Sequence, residues 1–349
     1  MSKQYFGWDI GGAHLKIAKL SDDGDILKVR QIACPLWRGV GELSRAVALL
    51  DFDIDGEDAV HAVTMTGELC DVFENRSAGV KQIVECLLPH LNASATIRIY
   101  GGYDGWLSPE QAAGRYTLSV ASANWLALGA FTAELIGDGV LVDVGSTTTD
   151  IIPIINAEVQ CAGRNDASRL TCEELVYTGV VRTPVIAVCR AVPFRGHWQH
   201  LAAEHFAAMS DVYRLLGQIE GRHDLMHTAD NRGKDLESSA RRLARMLGCD
   251  YEPDDLSEIV KVAEFIARTQ RNLVDHSVSL TVSREPTRLH GQLLVGAGVG
   301  RFLVQQLARS TGASYQSFDA LIGADSELAE HVSIAAPAVA VAKLAWMTN

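Results

Sequence analysis

Apolar and polar positions near the start of the chain alternate in the pattern of β-strands. Residues 5–18 contain a strand, a glycine turn and a second strand, and a polar turn at 21–25 leads to a third strand at 26–32. The pattern therefore predicts an N-terminal β-meander.

Helical and strand periodicities then alternate, which is typical of an α/β sheet. The predicted elements are a helix at 41–50, a strand at 59–65, a helix at 76–91 and a strand at 96–100. Beyond them, Trp125, Leu128, Phe131 and Leu135 recur at three- and four-residue spacing, which predicts an amphipathic helix over 121–136 that connects two halves of the chain.

The opening pattern is repeated in the second half of the chain. The segment VLVDVGSTTTDIIPII at 140–155 has the same order of apolar strand, aspartate, glycine turn and second strand as FGWDIGGAHLKIAKL at 6–20. Such an internal repeat indicates a duplicated architecture. We therefore expect two α/β lobes, at 1–137 and 138–349.

The second lobe is predicted to carry an inserted subdomain, because residues 197–271 are mostly polar with helical periodicity. The sheet is expected to resume at 292–295, followed by helices at 301–310 and 335–347.

Length and charge limit the function classes. A chain of 349 residues is long enough for two cores, and a net charge of -12 argues against a nucleic-acid partner. The seven cysteines lack Cys-x-x-Cys spacing, and no apolar run reaches the ~20 residues that span a bilayer. We expect a cytoplasmic protein without nucleic-acid or membrane partners, and homo-oligomerisation remains open.

The first hairpin presents one candidate anion site. Asp9 precedes the turn residues Gly11 and Gly12, and His14 and Lys16 follow them. Glycines allow backbone N–H groups to approach an anion without interference from a Cβ atom.

The second hairpin repeats this arrangement with added hydroxyl groups. Asp143 and Gly145 are followed by four successive hydroxyl residues, beginning with Ser146, Thr147 and Thr148. Hydroxyl groups donate hydrogen bonds to phosphate oxygens. The carboxylates of Asp9 and Asp143 suit a hydrated Mg²⁺ that also binds substrate phosphate.

A third glycine loop, with Gly296, Gly298 and Gly300, lies between a predicted strand and a predicted helix. A strand, a glycine turn and a helix N-terminus form a geometry that receives phosphate or a nucleobase. The spacing is not Gly-x-Gly-x-x-Gly, which argues against a dinucleotide fold.

In this order, the three glycine elements resemble the phosphate-1, phosphate-2 and adenosine motifs of the actin, sugar-kinase and Hsp70 superfamily. Other segments resemble a narrower group, the hydantoinase/oxoprolinase-like proteins linked to tetrahydromethanopterin one-carbon transfer. These segments are TGEL at 66–69, 143–150, ELVYTGVVRTP at 174–184, DVYRLLG at 211–217 and TADNR at 228–232. The resemblance implies duplicated ribonuclease-H-like lobes of the actin and sugar-kinase type.

The resemblance also implies an activity of methanofuran or methylofuran cofactor biosynthesis. A relative of this kind joins an aminomethyl-furanmethanol diphosphate to the phenol of γ-glutamyltyramine, and it releases diphosphate as the ether forms. The diphosphate substrate and the phenolic acceptor would be the partners of this chain.

That chemistry needs stabilisation of the leaving group and a base. Mg²⁺ near Asp9 and Asp143, the backbone of both hairpins and Lys16 would meet the first need. Arg164, Arg169 and Arg182 are candidates for additional phosphate contacts. The candidate bases are Glu68, Asp150 and His14.

Two other functions remain open. The three nucleotide-type elements fit an ATP-dependent small-molecule kinase or an amide hydrolase of the hydantoinase and oxoprolinase kind, and a nucleotide-gated regulator would use lobe closure as its output. Sugar kinases usually carry a hydroxyl residue that contacts the ATP phosphates where this chain has Ala13 and His14, and this difference argues against ATP-dependent phosphorylation.

Polar residues of the inserted subdomain are expected to face solvent. Five histidines fall between 197 and 227, and the pair His223 and His227 has the spacing of a helical metal site. Arg241, Arg242 and Arg245 share one predicted helix, where a solvated face is the favoured interpretation.

Overall fold

The computed structural model describes residues 3–54, 56, 58–284 and 293–349. The strands in these ranges are β1 (Gln4–Ile10), β2 (His14–Leu20), β3 (Ile26–Ala33), β4 (Ala59–Met65), β5 (Thr96–Tyr100), β6 (Trp106–Leu107), β7 (Gly139–Val144), β8 (Thr149–Ile155), β9 (Glu158–Val159), β10 (Leu175–Val176), β11 (Ala191–Phe194), β12 (His197–His200), β13 (Leu293–Ala297) and β14 (Ser314–Ser317).

The α-helices in the same ranges are α1 (Gly41–Ala48), α2 (Arg76–Leu87), α3 (Pro109–Ala113), α4 (Thr117–Val120), α5 (Asn124–Ala133), α6 (Asp166–Thr171), α7 (Val185–Val188), α8 (Met209–Leu215), α9 (Leu236–Met246), α10 (Leu256–Ser283), α11 (Arg301–Thr311), α12 (Phe318–Leu321), α13 (Ala329–Ile334) and α14 (Ala336–Met347). None of the helices within the described ranges combines the length and the apolar character needed to cross a membrane.

The first sheet has the strand order β3-β2-β1-β4-β5-β6. β2 is antiparallel to both β1 and β3, which confirms the predicted meander, whereas β1, β4 and β5 run parallel to one another. Every residue of β4 is buried, as expected for a parallel strand covered on both faces.

The second sheet repeats this topology, with the order β10-β8-β7-β13-β14. β10 is antiparallel to β8, and β13 joins β7 in parallel, as β4 joins β1 in the first sheet. The internal duplication predicted from the sequence is therefore confirmed. Residue 292, where the sheet was expected to resume, lies outside the described residues, and β13 begins at Leu293.

The chain forms two compact units. The first comprises Met1–Gly139, Ile154–Gln160 and Ser317–Asn349, and the second comprises Val140–Pro153 and Cys161–Gln316. The boundary near 138 thus recurs, but the C-terminal segment groups with the first unit and not with the second, where the sequence had assigned it.

Close packing of α14 on β1 explains where the C-terminal segment lies. A Cβ atom built at Gly7 would lie 1.9 Å from the carbonyl oxygen of Ala338 and 2.7 Å from Cβ of Ala342. The missing side chain of Gly7 and the small residues of α14 therefore let the helix backbone reach the strand. This packing is a contact within the first unit.

The inserted region of the second unit differs in part from its prediction. It starts with an antiparallel hairpin of β11 and β12, so residues 197–200 form a strand and not a helix. The helical part consists of α8, α9 and α10, and α10 continues past the predicted end at 271 to Ser283. Apolar faces of these helices, including Tyr213, Leu243 and Ile266, are buried in the core of the second unit.

Candidate active site

The first hairpin is a tight turn that positions Asp9 and Lys16 opposite each other. The N–H of Gly11 donates to the carbonyl of His14 at 2.9 Å, and Asp9 and Lys16 are cross-strand partners. A Cβ atom at Gly11 would lie 3.1 Å from that carbonyl oxygen. The turn therefore places a carboxylate at the end of β1 and an ammonium group at the start of β2.

Asp9 is buried, and two side chains contact its carboxylate. Lys16 Nζ lies 3.5 Å from Asp9 Oδ2, and Asn124 Nδ2 donates to Asp9 Oδ1 at 3.5 Å. Burial raises the pKa of Asp9 above its ordinary value, while Lys16 and Asn124 act in the opposite direction. Asn124, the first residue of α5, was not predicted as a site residue.

Glu68 lies on a turn that is packed against the same hairpin. The turn spans Gly67–Leu69, and a Cβ atom at Gly67 would lie 3.1 Å from the carbonyl oxygen of Ile10. Glu68 is 1% exposed, and its Oε1 accepts a hydrogen bond from Ser122 Oγ at 2.8 Å. Ser122 has φ of 53°, a left-handed conformation that is uncommon outside glycine. The segment preceding and opening α5 therefore contacts both Asp9 and Glu68.

Gly12 and His14 lie in the interior of this turn region. The carbonyl of Gly12 accepts from the N–H of Leu36 at 3.0 Å, and a Cβ atom at Gly12 would lie 2.9 Å from Cys70 Sγ. His14 is 5% exposed at the start of β2. Close packing against Cys70 therefore accounts for the absence of a side chain at position 12.

The second hairpin has the same turn as the first. The N–H of Gly145 donates to the carbonyl of Thr148 at 2.8 Å. The following loop braces the turn, because the carbonyl of Gly145 accepts from Val180 N–H at 3.1 Å and the carbonyl of Ser146 accepts from Arg182 N–H at 2.8 Å. These two hydrogen bonds hold the turn in place through the carbonyl groups of Gly145 and Ser146.

The hydroxyl groups of the second hairpin fall into two sets. Thr149 is buried and donates to the carbonyl of Thr178 at 2.7 Å, so it is a structural residue. Ser146, Thr147 and Thr148 are half-buried at the turn itself. Ser146 Oγ is buried and has no hydrogen-bond partner in the part of the chain that the structure describes. Three of the four predicted hydroxyls therefore remain candidates for phosphate.

The third glycine loop is packed against Asp143. Asp143 is the parallel-strand partner of Ala297, and a Cβ atom at Gly298 would lie 2.4 Å from Asp143 Oδ1 and 2.3 Å from the carbonyl oxygen of Val144. The N–H of Gly300 donates to that carbonyl at 2.9 Å, and α11 begins at the next residue. This loop therefore supports the end of β7.

The glycine at position 296, predicted as a phosphate-binding residue, has a packing role in β13. It lies within the buried part of β13, and a Cβ atom there would lie 2.8 Å from the ring of Tyr315 and 3.2 Å from Cβ of Val304. The absence of a side chain at 296 accommodates that ring.

The three candidate arginines lie in different environments. Arg169 is 1% exposed; its Nη1 donates to Asp150 Oδ1 at 2.6 Å and its Nη2 to the carbonyl of Glu174 at 2.9 Å. Arg182 is half-buried beside the second hairpin, and Arg164 is exposed in the loop before α6. The ion pair between the buried Arg169 and the half-buried Asp150 favours a structural role for both residues.

An ion-pair network is buried among the helices of the second unit. Arg242, which is 0% exposed, donates to Asp211 Oδ1 from Nε at 2.9 Å and from Nη2 at 2.6 Å. Its Nη1 donates to Asp230 Oδ1 at 3.0 Å, and Arg214 bridges Asp211 and Asp224 at 3.1 and 3.0 Å. The interpretation of Arg242 as a solvent-facing residue was wrong, because its side chain is fully buried. Its partners Asp211 and Asp230 lie on other segments of the chain.

The spacing of His223 and His227 does not correspond to a helical pair in the structure. His223 ends the short turn Gly221–His223 and accepts from the N–H of Glu220 at 3.1 Å, and residue 227 is not helical. Within the described ranges, no three His, Cys, Asp or Glu side chains are grouped so that they could hold a metal ion. Burial raises the pKa of the Cys161 thiol, as expected for an unreactive cysteine.

Comparison with known proteins assigns the chain to a family. Residues 59–347 match the model of the hydantoinase/oxoprolinase family. The chain belongs to the hydantoinase/oxoprolinase family. Its relatives include a protein of Methanocaldococcus jannaschii that is 34% identical over 345 residues, which cover 99% of this chain and 98% of the relative.

The names of two relatives agree. The Methanocaldococcus jannaschii protein is named (4-{4-[2-(gamma-L-glutamylamino)ethyl]phenoxymethyl}furan-2-yl)methanamine synthase. A Methanococcus vannielii protein of the same name is 32% identical over 124 residues, covering 36% of this chain and 55% of the relative.

Among solved structures, the nucleotide-free structure of acetone carboxylase has a TM-score of 0.54 and 10% identity, and the match covers 90% of this chain and 68% of that chain. At this identity the similarity concerns the fold alone. Together with the two sheets of matching strand order, it places the hydantoinase/oxoprolinase chain in the actin, sugar-kinase and Hsp70 fold class. The predicted fold class is confirmed.

Proposed function

We propose that the chain is a transferase of methanofuran or methylofuran cofactor biosynthesis. It joins an aminomethyl-furanmethanol diphosphate to the phenol of a glutamyl-tyramine or glutamyl-tyrosine acceptor. The observation that carries the proposal is the 34% identity, over 99% of this chain, to a synthase whose name specifies a phenoxymethyl-furan product.

The reaction follows from the bond in that name. The phenol oxygen attacks the furanylmethyl carbon, a C–O bond to diphosphate breaks, and its electron pair leaves with the diphosphate. The phenolic proton passes to a base. An enzyme for this step therefore stabilises negative charge on the leaving group and accepts one proton.

In this proposal the second hairpin binds the leaving group. Ser146, Thr147 and Thr148 are half-buried at the turn, and the buried Ser146 Oγ lacks a partner within the described residues, which is the state expected of a donor reserved for a ligand. Arg182 lies beside the same turn and supplies positive charge. For the first hairpin, whose Gly11 turn matches that of Gly145, we keep Gly11, Gly12 and Lys16 as proposed phosphate-binding residues.

Mg²⁺ is the metal we propose, with Asp143 as its principal ligand. Asp143 is a half-buried carboxylate at a strand end beside the phosphate-binding turn, and Mg²⁺ typically binds one or two carboxylates together with substrate phosphate. Asp9, whose two oxygens contact Lys16 and Asn124, is the second ligand that we propose. When bound, Mg²⁺ would neutralise charge on the departing diphosphate.

Glu68 is the base that we propose. The carboxylate of Asp150 is already engaged in an ion pair with the buried Arg169 at 2.6 Å, so we do not assign the base to it. Glu68 is buried in the first unit and is oriented by the hydroxyl of Ser122. His14 is the remaining candidate, as a buried imidazole at the first turn.

A coupled assay tests the proposal. The purified chain is incubated with Mg²⁺, the furan diphosphate and glutamyl-tyramine or glutamyl-tyrosine, with and without ATP, and the ether and diphosphate are measured by mass spectrometry. We expect both products in equal amounts without ATP. Absence of both products would overturn the proposal, and a strict requirement for ATP would favour a kinase or an amide hydrolase.

A further inference from the structure

The loop that follows β10 packs against the turn of the second hairpin. Gly179 lies so close to the turn that a Cβ atom there would be 2.5 Å from the carbonyl oxygen of Ser146 and from the nitrogen of Thr147. Val180, Val181 and Arg182 add three backbone hydrogen bonds to the carbonyls of Gly145 and Ser146. The position of this loop therefore sets the position of the turn.

One buried side chain of α10 holds that loop. Gln270 is 0% exposed, and its Nε2 donates to Thr178 Oγ1 at 2.7 Å and to the carbonyl of Gly179 at 2.9 Å. Thr178 is buried as well, and its own carbonyl accepts from Thr149 of β8. Thus Gln270 bonds directly to the two residues that touch the hairpin strand and the turn.

The other end of Gln270 is fixed by α8. Tyr213, also 0% exposed, donates from its hydroxyl to Gln270 Oε1 at 2.6 Å. Because one amide rotamer serves all three bonds, the tyrosine hydroxyl determines which way the amide donors point. Tyr213 is adjacent in sequence to Arg214 of the buried ion-pair network.

We infer that Gln270, oriented by Tyr213, is a positioning residue for diphosphate binding at the second hairpin. The inference rests on the proposed function. Gln270 and Tyr213 touch no reacting atom in it; they hold Thr178 and Gly179 so that Ser146 and its neighbours keep the turn that binds phosphate oxygens. A small displacement of these phosphate-binding groups would weaken substrate binding and slow the reaction strongly.

The first test separates binding of the diphosphate from general damage. Gln270→Met removes the three hydrogen bonds and keeps a similar volume, and Tyr213→Phe removes the hydroxyl while its ring stays packed on Phe302. We expect the KM for the furan diphosphate and the Kd for magnesium diphosphate to rise about tenfold, with the acceptor KM unchanged. Thr269→Ala on the same helix, which removes a hydrogen bond from the hydroxyl to the carbonyl of Phe265, is the control and should match the wild type.

A second pair keeps the inference testable should Gln270→Met not fold. Thr178→Val removes one of the two acceptors of Gln270, whereas Thr178→Ser retains both. The valine variant should show the raised KM for the furan diphosphate, and the serine variant should show the wild-type KM. Wild-type KM and Kd in Thr178→Val and Tyr213→Phe would overturn the inference. A wild-type protein that neither binds magnesium diphosphate nor forms ether would instead overturn the proposed function.

Discussion

Lys16 and Asp9 face each other across the first hairpin, with Lys16 Nζ 3.5 Å from a carboxylate oxygen that is almost fully buried. The pair places a carboxyl group and an ammonium group beside the glycine turn of the first hairpin. Burial raises the pKa of Asp9, and the positive charge of Lys16 acts to lower it.

The titration of Asp9 predicts a pH-dependent stability. The folded state holds the proton more tightly than the unfolded chain, whose aspartate titrates near 3.8. As pH rises above that value, the folded state carries more protons than the unfolded state, so the free energy of unfolding falls. Asp9→Asn removes this loss, and urea unfolding from pH 4 upward should show the variant gaining stability relative to the wild type.

Removal of Lys16 should lower the stability of the protein, whereas Asp9→Asn should raise it. Lys16→Met leaves the buried carboxylate without its cation, and we expect a loss of about 1 to 3 kcal/mol in the free energy of unfolding at pH 7. The double variant with Asp9→Asn should recover most of this loss. Additive effects in the double-mutant cycle would show that the two side chains do not interact.

The hydroxyl of Ser122 should be important because it bonds to a buried acid. Ser122→Ala removes the 2.8 Å bond to Glu68, with an expected cost of about 1 to 3 kcal/mol, and turnover should fall as Glu68 loses its orientation. The matched control is Ser119→Ala, which removes a bond to the exposed Asp104 in the same unit. Equal effects of the two substitutions, measured by unfolding and turnover, would contradict the proposed role of Glu68.

Two neighbouring arginines on α9 should differ strongly in stability. Arg242→Met leaves Asp211 buried without its main partner, and we expect a loss of about 3 to 5 kcal/mol. Arg241, which pairs with the exposed Glu237, is the control, and Arg241→Met should cost less than about 1 kcal/mol. Thermal and urea unfolding of both variants measure the difference; similar losses would mean that the buried network contributes no more than a surface pair.

The glycine beside Asp143 should be intolerant of a side chain. Gly298 has φ of 80°, and a Cβ atom there would meet Asp143 Oδ1 at 2.4 Å, whereas Gly312 has φ of 75° with nothing within 4 Å of its Cβ position. Both alanine variants carry the backbone strain of about 1 kcal/mol. Only Gly298→Ala should also lose most of its turnover, and activity retained by this variant would remove the Asp143 region from the reaction.

Local sequence patterns predicted much of the fold. The bounds of β4 and β5 agree with the predicted 59–65 and 96–100, because apolar strand residues there are bordered by polar turns. α5 is shorter than the predicted 121–136, since helical spacing alone does not show where the first turn begins. The duplication was visible because both hairpins keep the aspartate and glycine positions that the turn requires.

Long-range contacts explain what the sequence did not predict. Ser122 and Asn124 were missed because their acidic partners lie 54 and 115 residues away. Arg242 was assigned to solvent because its helix is amphipathic, while its partners at 211 and 230 approach only in the folded chain. Whether α14 packs on the first or the second sheet depends on the close fit with Gly7, which no periodicity reveals.

The central claim is that the phenol oxygen of the acceptor attacks carbon and displaces diphosphate. The most direct measurement uses an acceptor labelled with ¹⁸O at the phenol, followed by mass spectrometry of both products. The account predicts that the label is retained in the ether and is absent from the released diphosphate. An ether without the label, or label in the diphosphate, would contradict it.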